Sequence, residues 1–106
     1  QRVADNPGYG FDSHGVFVYD SHADRCLLLS KKGGPHSGEA WKISAYSIAS
    51  DKWEVVDIKG DPLPQDTPGR DWEAAQYAGY YDAGQNVFVL YNGRNATTYA
   101  YRHQAR

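Results

Sequence analysis

The sequence predicts an all-β fold of about two four-stranded antiparallel units, the second incomplete. Three observations predict it. The 106 residues hold nine Tyr, three Trp, three Phe and eleven Gly but no Met, a mixture that suits pleated strands joined by tight turns. Apolar residues fall in alternating or short continuous runs bounded by Gly, Pro, Asp and Asn, and no longer window sustains the three-and-four spacing of an amphipathic helix. The order also recurs: Tyr81-Asp82 stands 62 residues after Tyr19-Asp20, and Pro68-Gly69 stands 61 residues after Pro7-Gly8.

Residues 1–14, with Asn6-Pro7-Gly8 and Gly10, read as an extended lead-in. Residues 15–59 form the first unit. Its first strand is Val16-Phe17-Val18-Tyr19, closed by the polar turn Asp20 to Asp24. Arg25 to Ser30 is a nearly continuous apolar run, as expected for a strand covered on both faces. Lys31-Lys32-Gly33-Gly34-Pro35 ends it. Between Ala40 and Ile48, Trp41, Ile43 and Ala45 alternate with Lys42 and Ser44, the period of two that marks a strand. Ala49-Ser50-Asp51 turns the chain, and Trp53 to Ile58 supplies a fourth strand.

Residues 60–73 hold Pro62, Pro64 and Pro68, which forbid a regular ladder or helix and mark a crossover between units. Trp72 to Ala78 leaves room for one short helical turn. Residues 74–106 repeat the order: a strand ending at Tyr80-Tyr81-Asp82, a turn at Ala83-Gly84-Gln85, Val87 to Tyr91, a turn at Asn92-Gly93-Arg94, then Thr97 to Tyr101. Arg25 to Leu29 aligns with Asn86 to Leu90 at an offset of 61. No fourth strand follows.

Composition narrows the function. With 41% hydrophobic and 23% charged residues, the chain is an ordinary folded domain rather than a disordered tail. A net charge of −2 without any extended basic run excludes general attraction to nucleic acid or acidic lipid. No apolar stretch is long enough to span a bilayer as a helix. A start at Gln1 rather than Met suggests a processed or partial product. Cys26 is the single cysteine, so no intrachain disulfide is possible, and its place within Cys26-Leu27-Leu28-Leu29 reads as an inert core thiol.

A repeating four-stranded unit whose last strand crosses over to the next first strand is the wiring of a propeller blade. The details resemble kelch repeats, in which a glycine pair follows the second strand, a Tyr lies in the third, and a Trp begins the fourth after six intervening residues. Gly33-Gly34, Tyr46 and Trp53 fill those places. The closing stretch NVFVLYNGRNATTYAYR, residues 86–102, resembles the final blade of secreted bacterial kelch or galactose-oxidase-like propellers. The second unit departs from that pattern, with Asn92-Gly93 in place of the glycine pair and no Trp-bearing fourth strand. The resemblance implies an extracellular or secreted protein. It also implies further blades as partners, from copies of this chain or from a longer parent, because two blades cannot close a ring and repeat units need neighbours to cover their faces. Trp53→Ala is expected to cost about 3–5 kcal/mol if the ring is a core aromatic.

Candidate chemistry is sparse. His14, His22, His36 and His103 are dispersed, most of them reading as surface or turn residues, and fit no metal-ligand spacing. Galactose oxidases place Tyr and His on copper, but their ligand motifs match no positions here, so no metal, cofactor or catalytic residue is assigned. Asp66, Asp71 and Glu73 near Arg70 have the chemistry of a glycosidic acid–base pair, although charges in a Pro-rich loop are ordinarily just solvated. Arg70, Asp71, Trp72, Tyr77 and Tyr80 lie where a loop leads into an inner strand, a place where propellers bind sugar or peptide; packing between units is the plainer role for the aromatics. Asp20 and Asp82 are turn formers accepting backbone N–H bonds, and Asn95-Ala96-Thr97 fits a glycosylation sequon. The sequence therefore favours a non-enzymatic interaction module binding protein or carbohydrate through its loops. The alternative is part of a secreted carbohydrate oxidase or lyase whose catalytic residues lie elsewhere.

Overall fold

A computed structural model describes residues 15–30, 41–60, 63, 77–94 and 96–104. Within them the chain is all-β, with seven strands and no helix. Strands β1 (Val16–Asp20), β2 (Arg25–Ser30), β3 (Lys42–Ser47) and β4 (Lys52–Val55) form one antiparallel sheet in sequence order. Strands β5 (Tyr77–Asp82), β6 (Val87–Asn92) and β7 (Thr97–Tyr101) form a second, also in sequence order. The expected lead-in, the pair Gly33-Gly34 and nearly all of the crossover lie outside the described residues.

Four of the connections are the same device. The turns joining β1–β2, β3–β4, β5–β6 and β6–β7 each hold four residues between directly paired strand ends. The last turn residue in each is left-handed: Asp24, Asp51, Asn86 and Ala96, with φ between 53° and 56°. Asp and Asn tolerate that conformation better than other non-glycine residues. The residue before each turn fastens it. Asp20 Oδ1 accepts the His22 and Ala23 N–H groups, each at 3.0 Å. Ser47 Oγ accepts from Ser50 N at 3.3 Å, Asp82 Oδ1 from Gln85 N at 3.1 Å, and Asn92 Oδ1 from Arg94 N at 3.0 Å. The turn-forming role expected of Asp20 and Asp82 is therefore observed.

Tyrosine reaches across three of these turns. Tyr19, Tyr46 and Tyr81 donate their hydroxyls to the left-handed residue five positions on, at 2.7 Å to Asp24, 2.5 Å to Asp51 and 2.6 Å to Asn86. In the fourth turn Tyr91 stands in the same place, but Ala96 offers no side-chain acceptor.

Strand register decides what each face buries. In the first sheet Val18, Leu27 and Ala45 share a row, and Val16, Leu29 and Ile43 share the next of the same parity. This face packs against Tyr77, Phe88 and Leu90 of the second sheet in one core, joined by Trp41 and edged by Tyr99, Tyr101, Val56 and Ile58. β1 lies against β5, so the sheets approach along those edges. Gly79, paired with Leu90, lies on the inward face of β5, where an added Cβ would collide with the Val89 carbonyl oxygen.

Several expectations change. β4 ends at Val55 rather than Ile58; Val56 N still donates to Ile43 O at 2.8 Å, after which Ile58 packs against the shared core instead of extending the ladder. Tyr77 and Ala78 belong to β5, not to a helical turn. The offset of 61 assigned to the second strands is corrected to 62, because Asp20 pairs with Arg25 as Asp82 pairs with Val87. Cys26 is only half-buried and lies on the opposite face from Leu27, outside the shared core.

Candidate functional site

The corrected register determines how the sheets meet. Cys26 and Leu28 are the counterparts of Phe88 and Leu90, and Leu27 and Leu29 are the counterparts of Val89 and Tyr91. The first sheet therefore presents its Leu27 face to the second sheet's Phe88 face, and these are opposite faces of the repeat. The packing is head to tail. In β3 and β7 the same register sets Tyr101 in the place of Tyr46.

Each outward face carries apolar side chains. On the first sheet Phe17 is 61% exposed and Tyr19 48%, beside half-buried Leu28, with Val55 exposed at the β4 edge. Tyr46 and Trp53 pair across β3 and β4 on this face, with ring centroids 5.2 Å apart. On the second sheet Tyr80 is 59% exposed and Tyr91 45%, flanking Val89. An antiparallel sheet with one face in water ordinarily alternates apolar inside with polar outside. Here many outside positions are apolar as well, beside fully buried Ser30 and Ser44 and half-buried Lys42 on the first sheet and Thr98 on the second.

The turn-bearing end, by contrast, is polar and internally bonded. Arg25 Nη1 donates to the Ala23 and Asp24 carbonyls at 3.1 and 3.0 Å. Arg102 donates to the corresponding carbonyls of the second sheet's turn, Gln85 O at 3.1 Å and Asn86 O at 3.3 Å. The His22 ring bridges the two turns through Nε2, 3.1 Å from Ala83 O. Burial and the hydrogen-bonded Asp20 carboxylate raise the Tyr81 phenol above its usual range.

His103 departs from the surface or turn setting expected of most of the histidines and is 6% exposed. It follows β7 and folds back so that Nδ1 lies 2.8 Å from the Tyr101 hydroxyl, while Nε2 is buried without a hydrogen-bond partner. Burial lowers its pKa, against the opposing pull of Asp20 and Glu54. Tyr101 is pushed up to about 12, by burial first and then by the charges of Glu54 and Asp20. A cleft of about 370 Å³ opens beside this pair, between Glu54, Val56, Lys59 and Gln104. A second, of about 350 Å³, lies where Ile58 and Leu63 cross the seam near Tyr99.

The sequence-based candidates fall in different places. Tyr77 is buried in the seam, edge-on to Trp41 with centroids 5.0 Å apart and 6.4 Å from Tyr99. Tyr80 points from the outer face of the second sheet. Arg70, Asp71 and Trp72, with Asp66, Glu73 and Asn95, lie outside the described residues. Among the described residues no three His, Cys, Asp or Glu side chains gather as a metal site, and no helix is long and apolar enough to cross a membrane. Burial, then the nearby Asp24 charge, raises the Cys26 thiol, which disfavours the reactive thiolate. The outward aromatic faces and the His103–Tyr101 pair were not read from the sequence. The recurrence of Tyr with Asp or Asn five residues later, at 19, 46 and 81, was the available signal for the hairpins.

No family model, curated protein or solved structure matches the chain.

Proposed function

We propose that this chain is a non-enzymatic interaction module, a segment of a kelch-like β-propeller that binds protein or carbohydrate through its loops. One observation carries the reading. Two antiparallel sheets of the same wiring are stacked head to tail, and each still presents an apolar face on its far side. A stack of this kind is completed by further sheets of the same design, supplied by other copies or by a longer parent chain. The kelch reading adds Gly33-Gly34, Tyr46 and Trp53 as its structural positions and an extracellular setting. In it, Arg70, Asp71 and Trp72 belong to the ligand-binding loops, Tyr77 packs in the seam at the start of β5, and Tyr80, midway along β5, faces outward on the surface left for a further sheet.

The test is capture of immobilised glycans and peptides by the full chain. Capture that Trp72→Ala or Arg70→Ala reduces at least tenfold, with the circular dichroism spectrum unchanged, is the expected result. Bound copper, sugar oxidation or lyase turnover by the purified chain overturns the non-enzymatic part. Failure to capture any member of either ligand class overturns the binding part.

A further inference from the structure

We infer that the two outward sheet faces are complementary halves of one contact, and that each is covered by the opposite face of a second copy of this chain, head to tail. The inference deepens the proposed function, resting on its stacking of like sheets but not on its ligand. The contact already present inside the chain is its template. There the Val18, Leu27 and Leu29 face of the first sheet meets the Tyr81, Phe88 and Leu90 face of the second. Shifted by 62 residues, the first of these becomes Tyr80, Val89 and Tyr91, the outward face of the second sheet. The second becomes Tyr19, Cys26 and Leu28, the outward face of the first. Each outward face therefore holds the repeat positions that meet each other inside the chain, with Cys26 in the place of Phe88 and Tyr91 in the place of Leu29.

Symmetry follows from this geometry. A two-fold dimer would join like to like, Tyr80 to Tyr80 or Phe17 to Phe17. The repeat instead joins unlike faces, a heterologous contact that continues into a ring or an open stack. Chemistry agrees at the exposed centres of the faces, since Phe17, Tyr19 and Leu28 on one and Tyr80, Val89 and Tyr91 on the other carry no charge, Lys42 standing at the margin of the first beside buried Ser30. Their strength has a limit. At roughly 150–250 Å² per aromatic side chain, with about half of each still exposed, the four rings offer on the order of 300–500 Å². That is less than a stable pair buries, so Leu28, Val89 and the rest of each face must contribute and association depends on concentration.

Two singly substituted chains in a Cys26→Ser background test the orientation. Phe17→Cys and Tyr91→Cys chains, differently tagged, are mixed with a short bismaleimide. The expected product links one chain of each kind, while either chain alone gives no linked pair. A linked pair from Phe17→Cys alone or Tyr91→Cys alone establishes a like-to-like contact and overturns the inference. So does an unsubstituted chain that stays monomeric at every concentration in sedimentation. Tyr91→Asp, with its circular dichroism spectrum unchanged, is expected to weaken association at least tenfold; unaltered association also refutes it. Failure here is separable from failure of the proposed function. A monomer that captures glycan or peptide retains that function without this contact, and chains that link head to tail but capture nothing do the reverse.

Discussion

Phe88→Ala tests the central structural statement, that alternate residues of β6 face a core and a far surface. Phe88 is fully buried, between Tyr81 and Tyr101 in its row and against the first sheet. Removing its ring forfeits about 1.5–3 kcal/mol of transfer free energy. The cavity left between two strand layers cannot collapse fully, which raises the loss to about 3–5 kcal/mol. Against a total of about 5–15 kcal/mol for a domain, that is a large share. Its neighbour Val89 points the other way, where nothing described covers it, so Val89→Ala in dilute solution costs less than about 1 kcal/mol. Urea unfolding followed by tryptophan fluorescence measures both, with buried Trp41 beside Tyr77 reporting on the seam. The midpoint should fall sharply for Phe88→Ala and little for Val89→Ala, with the urea dependence unchanged. Equal losses, or a loss below about 1 kcal/mol for Phe88→Ala, refute the assigned parity and the shared core.

Three further outcomes are expected. The Tyr46 phenol is pushed up to about 12, by its hydrogen bond to Asp51 and then by burial; a raised folded-state value means its contribution is complete below the unfolded value near 10 and is lost as pH climbs through about 12. Absorbance titration should show late phenols, of which Tyr46→Phe removes one and leaves that of Tyr101. His103 is shifted downward by burial, so the stability from its neutral form is complete above the unfolded value of about 6.5 and is lost as pH falls through the lower folded value; His103→Gln should flatten that acid limb in urea midpoints measured against pH, and an unchanged limb would assign the loss to other groups. Ala96 holds φ at 56° without the acceptor its three counterparts supply, so Ala96→Asn should relieve strain and give Tyr91 a partner, gaining about 1 kcal/mol, read as a rise of about 4–8 °C in Tm; no rise counts against equivalence of the four turns.

Much of the architecture was legible because local pattern and tertiary burial agree. Val16 to Tyr19, Arg25 to Ser30 and Thr97 to Tyr101 were visible as apolar or alternating runs between polar turns, and all are strands. Face assignment was harder. Cys26 sits in a run apolar at every position, and such a run hides which parity faces the larger core. Only the four-residue turn from Asp20 to Arg25 fixes it. Burial of His103 was not legible because, for a histidine after the last strand, it depends on β4 and the β1–β2 turn, brought near by tertiary packing rather than by sequence. Trp53 illustrates the converse: the kelch resemblance singled it out with Tyr46, and the two rings do pair, but that of Trp53 is only half-buried on the outward face. Trp53→Ala in the isolated chain should therefore fall short of the loss expected for a core aromatic.

The hairpin device explains why one register governs both sheets. A four-residue turn with a left-handed last residue fixes which strand residues pair, and pairing fixes parity, because a shift of one position exchanges the faces of a strand. Tyr19, Tyr46 and Tyr81 each lock such a turn, and Arg25 and Arg102 cap the same carbonyls in the two sheets. With turns of equal length in β1–β2 and β5–β6, the faces of the two sheets cannot drift relative to one another. A one-residue insertion into the β1–β2 turn would exchange the faces of β1 relative to β2, setting Phe17 and Tyr19 in place of Val16 and Val18 on the face of Leu27 and Leu29. The composition of each face is thus held by short polar segments at one end of the sheets, while the free energy of stacking comes from the apolar faces between them.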